Sequence, residues 1–303
     1  MRPGKPDRVG QVFAALGKSV CYVGLFLGIQ VLVMIPAMFG AAIQAVLNGG
    51  SEDEIYAAML DADLMTLTLI SGLLTLAVVL AFYLIRRKKL GEALWLRPVS
   101  ASALFTGASL VPGLYFAVII VLSLLPAAWT QSYGEASADI VTGTVTGVIS
   151  VAVVAPIVEE VIFRGLTMTR LSRAMPGWLA VLLSAAVFGL CHGEPVWFCY
   201  AFVLGAFFGF IDLRAGSILP SILGHIMFNA IGQIMTFVPE TEEGTGVMIA
   251  MGALFVTAVA LPILDRRGIA ALLRPGSGPA SNPTAEWALP SVPGTYEYDP
   301  WEE

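Results

Sequence analysis

Charged side chains are scarce in this sequence, since only 13% of its 303 residues are Asp, Glu, Lys or Arg. Soluble domains carry about 25% charged residues, so the scarcity excludes an ordinary water-soluble enzyme and indicates a protein that crosses a membrane several times. Cysteine is rarer still. Cys21, Cys191 and Cys199 lie in apolar segments without CxxC or Cys/His spacing. We therefore predict that they are buried apolar side chains and not zinc ligands.

Long apolar runs fill most of the chain, and most of them reach the roughly 20 residues that one membrane-spanning helix requires. We predict an all-α fold, a polytopic membrane bundle of about eight transmembrane helices. Their expected positions are 20–47, 64–85, 101–128, 140–170, 178–192, 196–211, 218–238 and 247–264. The third span is expected to bend at Pro112 and Pro126. Residues 268–303 contain six prolines and no apolar periodicity. This composition predicts a disordered cytoplasmic tail.

The distribution of basic residues predicts the orientation of these helices. With eight spans and a cytoplasmic amino terminus, all sixteen Lys and Arg residues fall on the cytoplasmic side, as the positive-inside rule expects. Both termini are then cytoplasmic, and the opposite loops carry only acidic residues. We expect a multi-pass protein of the cell (inner) membrane. Its expected organisation is helices 1–3 in residues 1–139, a catalytic core of helices 4–7 in 140–240, helix 8 in 241–267 and the tail in 268–303.

Two adjacent carboxylates, Glu159 and Glu160, follow nineteen uncharged residues from Ile140 to Val158. An ionised carboxylate within hydrocarbon costs several kcal/mol, so such residues usually mark a functional site. On a helix Glu160 can pair with Arg164 at i,i+4, while Glu159 is turned about 100° away and has no partner in its own segment. The rest of the chain is expected to supply that partner.

The two histidines of the chain also lie in apolar spans. Residues equidistant from the turn Met175-Pro176-Gly177 lie at equal depth in a helical hairpin, and His192 is as far after this turn as Glu160 is before it. His225 lies about eight residues into the seventh span, roughly 10–12 Å deep at the helical rise per residue. Asn229 follows His225 at i,i+4 and shares its helical face. Three spans therefore present polar groups at a similar depth.

These groups match the chemistry of peptide hydrolysis by an activated water. A carboxylate serves as the base, and the tetrahedral intermediate requires donors that point at its oxyanion. Glu159 with His192 fits the first task, and His225 with Asn229 fits the second. Arg164 is expected to hold Glu160, to support the fold of the site or to anchor a substrate carboxylate.

Three short motifs, Glu159-Glu160-x-x-x-Arg164, Phe188-x-x-x-His192 and His225-x-x-x-Asn229, occur in this order on successive apolar segments. Together they resemble the motifs of the CAAX-processing and bacteriocin-processing (CPBP, or Abi) family of intramembrane proteases, in its prokaryotic branch. The resemblance covers about residues 140–240. It implies that Glu159 is the general base, that His192 shares the catalytic water, and that His225 and Asn229 stabilise the oxyanion. Glu160 and Arg164 are then supporting residues.

The family resemblance leaves the metal dependence open. Its members were long regarded as metalloproteases, whereas a glutamate-driven hydrolysis without metal is the later interpretation. The sequence has no HExxH motif, although Glu159, His192 and His225 could still hold zinc. We expect no cofactor, a membrane-associated or lipidated peptide substrate, contact with the lipid bilayer and no nucleic acid partner.

Two other functions remain open at this stage. Members of the family include non-catalytic bacteriocin-immunity and scaffold proteins, and such a binding role could retain the three motifs. A proton-coupled transporter could use Glu159 or Glu160 as its proton carrier. Transporters of that kind have inverted repeats with broken helices in both halves, whereas the polar motifs here lie in the second half only.

Overall fold

The computed structural model describes residues 8–60, 63–138 and 144–237, and in these ranges the chain forms helices and contains no strand. Five of the described helices are long and apolar enough to cross a membrane. The protein is therefore a polytopic helical membrane bundle, as predicted. Eleven helices build the described part, and we number them in chain order.

The first seven helices precede the paired glutamates. They are α1 (Arg8–Leu47), α2 (Glu52–Leu60), α3 (Leu64–Ile85), α4 (Leu90–Ala93), α5 (Ala101–Ser109), α6 (Val111–Leu124) and α7 (Ala127–Ala138). The motif-bearing half follows as α8 (Val145–Leu171), α9 (Gly177–Leu190), α10 (Pro195–Ala215) and α11 (Leu219–Met235).

Seven of the eight predicted spans coincide with helices, while span 247–264 and the tail lie outside the described residues. The third span, predicted over 101–128 with bends at Pro112 and Pro126, is divided into α5 and α6 by a turn at Leu110, just before the first of these prolines. Pro112 in the first turn of α6 explains the division, because proline lacks the backbone donor that a continuous helix would need there. The first span also begins earlier than predicted, at Arg8.

Helix α8, which carries the glutamates, contains two stretches of wide π-helical turns. They cover Ser150–Val154 and Glu160–Met168, on either side of an α-helical turn that contains Pro156. Proline removes one backbone donor inside the helix, and wide turns are a common way for a helix to accommodate such a change. Because π-helical turns occur frequently at functional sites, this helix stands out from the others.

The wide turns Glu160–Met168 form the centre of the bundle, and all nine residues in them are buried. Helix α1 packs on one side, where the rings of Phe26 and Phe163 meet edge to face at 6.1 Å. The loop after α4 packs on the other side. A Cβ atom at Gly165 would lie 3.0 Å from the carbonyl oxygen of Leu94, so this close approach requires glycine. The segment that carries Glu160 and Arg164 is thus completely enclosed by neighbouring helices and loops.

The cysteines correct one detail of the sequence analysis. Cys21 on α1 and Cys199 on α10 are exposed, and Cys191 is half-buried. The two exposed thiols lie on helices that are apolar enough to cross a membrane, so an apolar neighbourhood in the sequence reflects the lipid side of a helix as well as the protein core.

Candidate active site

Two neighbouring carboxylates occupy the boundary on α8 between the turn Ala155–Glu159 and the wide turns Glu160–Met168. The Glu160 side chain is 0% exposed, whereas that of Glu159 is 19% exposed. Consecutive helical residues point about 100° apart, so one glutamate faces the protein interior and the other faces a partly open side. Adjacent residues in the sequence therefore have different environments.

Glu160 is held by two nitrogen-bearing side chains. Its Oε1 accepts a hydrogen bond from His225 Nδ1 at 2.8 Å and lies 3.1 Å from Arg164 Nη1. The predicted pairing of Glu160 with Arg164 at i,i+4 is thus present. Arg164 is 1% exposed, and its guanidinium lies over the ring of Phe188, 4.4 Å from the centroid. A cation over an aromatic face is attracted by the ring quadrupole, which helps to offset the desolvation of this buried charge.

His225 lies between the two glutamates. While Nδ1 donates to Glu160, Nε2 is 3.6 Å from Oε2 of Glu159. This differs from the sequence-based division of roles, which grouped Glu159 with His192 and His225 with Asn229. The difference arises because α11 packs directly against α8. The position of a residue along a span predicts its depth in the membrane. The orientation of two crossing helices relative to each other decides which of their side chains are in contact.

Asn229 faces α8 from the next turn of α11. Its Nδ2 donates to the carbonyl oxygen of Val151 at 2.9 Å, and Val151 belongs to the wide turns Ser150–Val154. A primary amide has two N–H donors, so this bond orients the group and leaves the second donor for another acceptor. His225 and Asn229 thus lie on one face of α11 and reach α8 on the two sides of Pro156.

His192 lies in the turn that follows α9. Its Nδ1 donates to the carbonyl oxygen of Phe188 at 2.9 Å. In the neutral imidazole this places the proton on Nδ1 and leaves Nε2 as an acceptor. The ring of Trp197 lies 5.5 Å from that of His192. His192 is therefore oriented by its own helix and has one nitrogen left for a ligand.

The ring of Phe188 joins the parts of the site. Its centroid lies 4.8 Å from that of His192 and 5.8 Å from that of His225, and its face carries the guanidinium of Arg164. In the sequence, Phe188 is the first position of the Phe-x-x-x-His motif. That spacing places Phe188 one helical turn before His192, and it was the sequence signal for the contact between the two rings.

Two further polar residues approach the buried side of the site, and sequence reasoning missed both. Asp212, in the last turn of α10, is 0% exposed, and its Oδ1 accepts a hydrogen bond from the backbone N–H of Ser221 at 3.2 Å. The hydroxyl of Ser221 donates to the carbonyl oxygen of Ile218 at 2.9 Å. Asp212 begins a stretch, 212–220, that resembles the family's linker before the third motif, but the resemblance assigned it no role. A charged residue at the end of an apolar helix usually faces water.

An aromatic group covers the His192 side of the site. Tyr133 on α7 lies 6.1 Å from Trp197 and 5.9 Å from Tyr200, measured between ring centroids. The same contact between α7 and α10 includes a hydrogen bond from the Ser132 hydroxyl to Glu194, whose other oxygen accepts from the Trp197 backbone N–H and caps α10. Helix α7 was not predicted, because its polar sequence lacks an apolar period.

The described residues contain no group of three His, Cys, Asp or Glu side chains placed to hold a metal ion. Glu159 and His225 approach each other, whereas the hydrogen bond of His192 goes to the carbonyl oxygen of Phe188. The alternative zinc ligands Glu159, His192 and His225 are therefore not arranged as a three-ligand set in this conformation.

Comparison with known proteins finds a family match over the segment that contains these residues. Residues 141–231 match the family of type II CAAX prenyl endopeptidase Rce1-like proteins. The chain is also similar to YdiL of Bacillus subtilis (strain 168), which is named as a candidate membrane peptidase, with 27% identity over 126 residues. This similarity covers 40% of the present chain and 52% of the Bacillus protein, so the match spans about half of that relative. No solved structure matches the chain.

Proposed function

We propose that the protein is an intramembrane endopeptidase of the CAAX-protease type, a proposal supported by the match of residues 141–231 to the Rce1-like family. It hydrolyses a peptide bond of a membrane-associated or lipidated substrate near the cytoplasmic face, using a water activated by Glu159. The observation that carries this proposal is the position of His225 between a buried and a partly exposed glutamate.

Glu159 acts as the general base. It is the more exposed of the two carboxylates, and its Oε2 lies close to His225 without sharing the buried contacts of Glu160. The carboxylate takes a proton from water as the water oxygen bonds to the scissile carbonyl carbon. When the C–N bond breaks, the same proton passes to the leaving nitrogen, so Glu159 returns to its starting form.

His192 positions the attacking water. Donation from Nδ1 to Phe188 fixes the ring, and the remaining Nε2 accepts a hydrogen bond from the water. One water then has two acceptors, the Glu159 carboxylate and His192 Nε2, which together determine where its oxygen lone pair points. Orientation of this kind lowers the entropic part of the barrier.

His225 and Asn229 stabilise the oxyanion of the tetrahedral intermediate. The bond from Asn229 to Val151 leaves one amide N–H for the oxyanion, and His225 lies one turn away on the same face of α11. Because Nδ1 of His225 already donates to Glu160, its Nε2 donates to the oxyanion in the doubly protonated imidazolium form. Glu160 and Arg164 support these groups by fixing the imidazole of His225 from its buried side. Donors oriented before the reaction are commonly the largest single contribution to such catalysis.

Hydrolysis in this proposal requires no metal ion. The base, the water-positioning histidine and the oxyanion donors are all side chains of this chain, and each has a role without a metal ligand set. Zinc held by Glu159, His192 and His225 is the alternative, and chelation separates the two mechanisms.

Two of the motif-bearing helices are short, which supports access of water to the site. Helix α9 has 14 residues and α11 has 17, so they extend about 21 Å and about 26 Å, less than the roughly 30 Å of a hydrocarbon core. Short helices draw the membrane surface toward the residues near their ends. The basic residues Arg164, Arg170 and Arg214 lie on the helices around the site, in agreement with a cytoplasmic location for it.

The test is cleavage of a library of membrane-anchored peptides by the purified protein in nanodiscs. We expect the wild type to cleave, Glu159→Ala and His192→Ala to be inactive, and a chelator to have no effect. Loss of cleavage on chelation with recovery in zinc would replace the metal-free mechanism. If the folded wild type cleaves nothing, the protease proposal fails and a binding or immunity function takes its place. Proton-dependent flux into liposomes without cleavage would instead indicate a transporter.

A further inference from the structure

The short loop that follows α4, residues 94–97, is buried beside the active-site helices, although the proposed mechanism gives it no role. Leu94 is 2% exposed and Trp95 is 5% exposed. A loop between two helices usually runs over the surface, where its backbone polar groups can bind water. Burial of this loop therefore requires protein partners for its backbone groups, and several of those partners lie at the start of α11.

Three backbone groups of the loop are bonded to the start of α11. The carbonyl oxygen of Trp95 accepts the N–H of Ile218 at 3.1 Å. The hydroxyl of Ser217 donates to the carbonyl oxygen of Arg97 at 2.8 Å and accepts from the N–H of the same residue at 3.2 Å. Ser217, which is 0% exposed, also accepts the N–H of Leu219 at 3.3 Å. A hydroxyl has one donor and two acceptor positions, so this side chain uses all of them to join the loop to the first turn of α11.

The same loop contacts α8 beside the buried ionic group. A Cβ atom at Gly165 would lie 3.0 Å from the carbonyl oxygen of Leu94 and 3.3 Å from Cδ1 of Ile218. Gly165 directly follows Arg164, which holds Glu160. The wide turns of α8, the loop and the start of α11 therefore meet at one point, and an added methyl group there would push them apart.

Trp95 has a backbone conformation that bulky residues seldom adopt. Its φ is 58°, in the left-handed region, where a residue with a large side chain is strained. Strained residues persist only when the surrounding structure holds them, and they occur preferentially at functional sites. The carbonyl oxygen of this residue is the one that binds the N–H of Ile218. The fold thus tolerates a strained residue at the point where the loop binds α11.

We propose that the 94–97 loop sets the position of α11 relative to α8, with Ser217 as a positioning residue. His225 follows Ile218 by about two helical turns on the same rigid element. The distance of 3.6 Å between His225 Nε2 and Glu159 Oε2 then depends on where the loop holds the first turn of α11. Ser217 does not touch the substrate. The consequence for catalysis rests on the proposed protease function.

Two variants disturb this contact in different ways. Ser217→Ala removes the hydroxyl that joins the loop to α11, and Gly165→Ala inserts a methyl group between α8 and the loop. The matched controls lie on other helices. Ser71→Ala removes a buried hydroxyl that is bonded within α3. Gly24→Ala adds a Cβ atom on α1 at a position where no atom of another residue lies within 4 Å.

The first measurement reports the position of α11 without requiring cleavage. The chain contains two histidines, so ¹⁵N-histidine labelling of the whole protein in nanodiscs gives two imidazole groups in solid-state NMR spectra, and His192→Ala assigns them. We expect Ser217→Ala and Gly165→Ala to shift the His225 signals and to leave those of His192 nearly unchanged. The two controls should shift neither.

Unchanged His225 signals in a folded Ser217→Ala variant would overturn the proposal, whether or not the protein cleaves peptides. A shift in Gly165→Ala alone would place the origin of the effect in the neighbouring Arg164 and would also overturn it. If Ser217→Ala does not fold, Ser217→Cys takes its place, because a thiol is a weaker donor and acceptor than a hydroxyl.

Steady-state kinetics tests the consequence for cleavage. Ser217→Ala and Gly165→Ala should lower kcat by up to about 100-fold with little change in KM, because small displacements of catalytic groups can reduce the rate by this factor. The two controls should have wild-type kcat. A rise in KM alone, or wild-type kinetics despite shifted His225 signals, would contradict the positioning role in catalysis. If the His225 signals shift as expected and the wild type cleaves nothing, the protease proposal fails while the positioning of α11 by the loop stands.

Discussion

The two sides of the active site differ in how firmly they are held. On the buried side, Glu160, Arg164 and His225 form a compact ionic group against the ring of Phe188. On the partly open side, within the described part of the chain, Glu159 approaches His225, and His192 makes its hydrogen bond to a carbonyl of its own helix. A polar group whose hydrogen-bonding atoms are used by neighbouring side chains supports the structure. A polar group that keeps a free donor or acceptor is available to a substrate. This difference is the reason why we propose Glu159, and not Glu160, as the general base.

Arg164→Leu is expected to have the largest effect on stability. It leaves the Glu160 carboxylate buried without its cation, and breaking a buried ion pair in this way costs about 3–5 kcal/mol. The matched control is Arg170→Leu, because Arg170 is half-buried and its Nη2 makes a longer bond of 3.4 Å to Tyr22. The Tm of each variant in nanodiscs measures its loss of stability relative to the wild type. A similar Tm for the two variants would show that the buried ionic group is not a structural support.

Asn229→Ala tests the donor face of α11. Loss of one oxyanion donor lowers kcat by about 10²–10³-fold in well-studied hydrolases, and we expect a loss in this range with a nearly unchanged KM. Asn48→Ala, in the exposed turn after α1, is the control and should have wild-type activity. Steady-state kinetics with a cleaved peptide substrate measures kcat and KM for both variants. A rise in KM alone would instead place Asn229 in ground-state substrate binding.

Phe188→Leu tests the ring that joins the two sides. Leucine keeps an apolar side chain but removes the aromatic face under Arg164 and the contacts with both imidazoles. Cation–π interactions are worth up to about 2 kcal/mol when desolvated, so we expect a loss of stability of this size and a reduced kcat. Phe202→Leu, which alters an aromatic pair on α10 alone, is the control. Equal Tm and kcat for the two variants would contradict a joining role for Phe188.

Asp63, an exposed carboxylate, gives the smallest expected effect. It caps α3, and hydrogen bonds from the hydroxyl and then the backbone N–H of Thr66 hold the pKa of Asp63 below its ordinary value of 3.8. A depressed pKa in the folded state means that the stabilisation is present above pH 3.8 and is lost as the pH falls through the folded-state value. The Tm difference between wild type and Asp63→Ala should shrink accordingly below pH 3.8.

Asp63→Asn is the matched control for this cap, because asparagine caps helices without a charge. Its Tm difference from Asp63→Ala should not depend on pH in this range. A pH-dependent difference between these two uncharged variants would mean that another group causes the effect.

Helix α3 shows how far the sequence could predict the fold. Its predicted and observed limits agree because Asp63 caps one end and the run Arg86 to Lys89 follows the other, with only apolar and small polar residues between. The division of the third span near Pro112 was predictable from the proline. The start of α1 at Arg8 was not, because the charged residues before position 20 interrupt the apolar run on which the predicted span depended.

The candidate site was partly predictable for a similar reason. Helical spacing predicts that Glu160 lies beside Arg164 and that His225 and Asn229 share one face of α11. The structure contains both arrangements. The contact of His225 with both glutamates depends on how α11 crosses the wide turns of α8, and no periodicity in the sequence encodes that crossing. Asp212 lay outside every motif, and only its complete burial reveals it.

Measuring kcat and Tm of Glu159→Gln and Glu160→Gln in parallel tests most directly whether the two adjacent glutamates have different roles. Each variant removes one negative charge and keeps the shape of the side chain, so kcat and Tm can be compared on equal terms. Glu159→Gln should lower kcat by about 10²–10⁴-fold with an unchanged Tm, because it loses the base. Glu160→Gln should lower the Tm, because Arg164 loses its buried counter-charge. Cleavage at the wild-type rate by Glu159→Gln would contradict the assignment of Glu159 as the base.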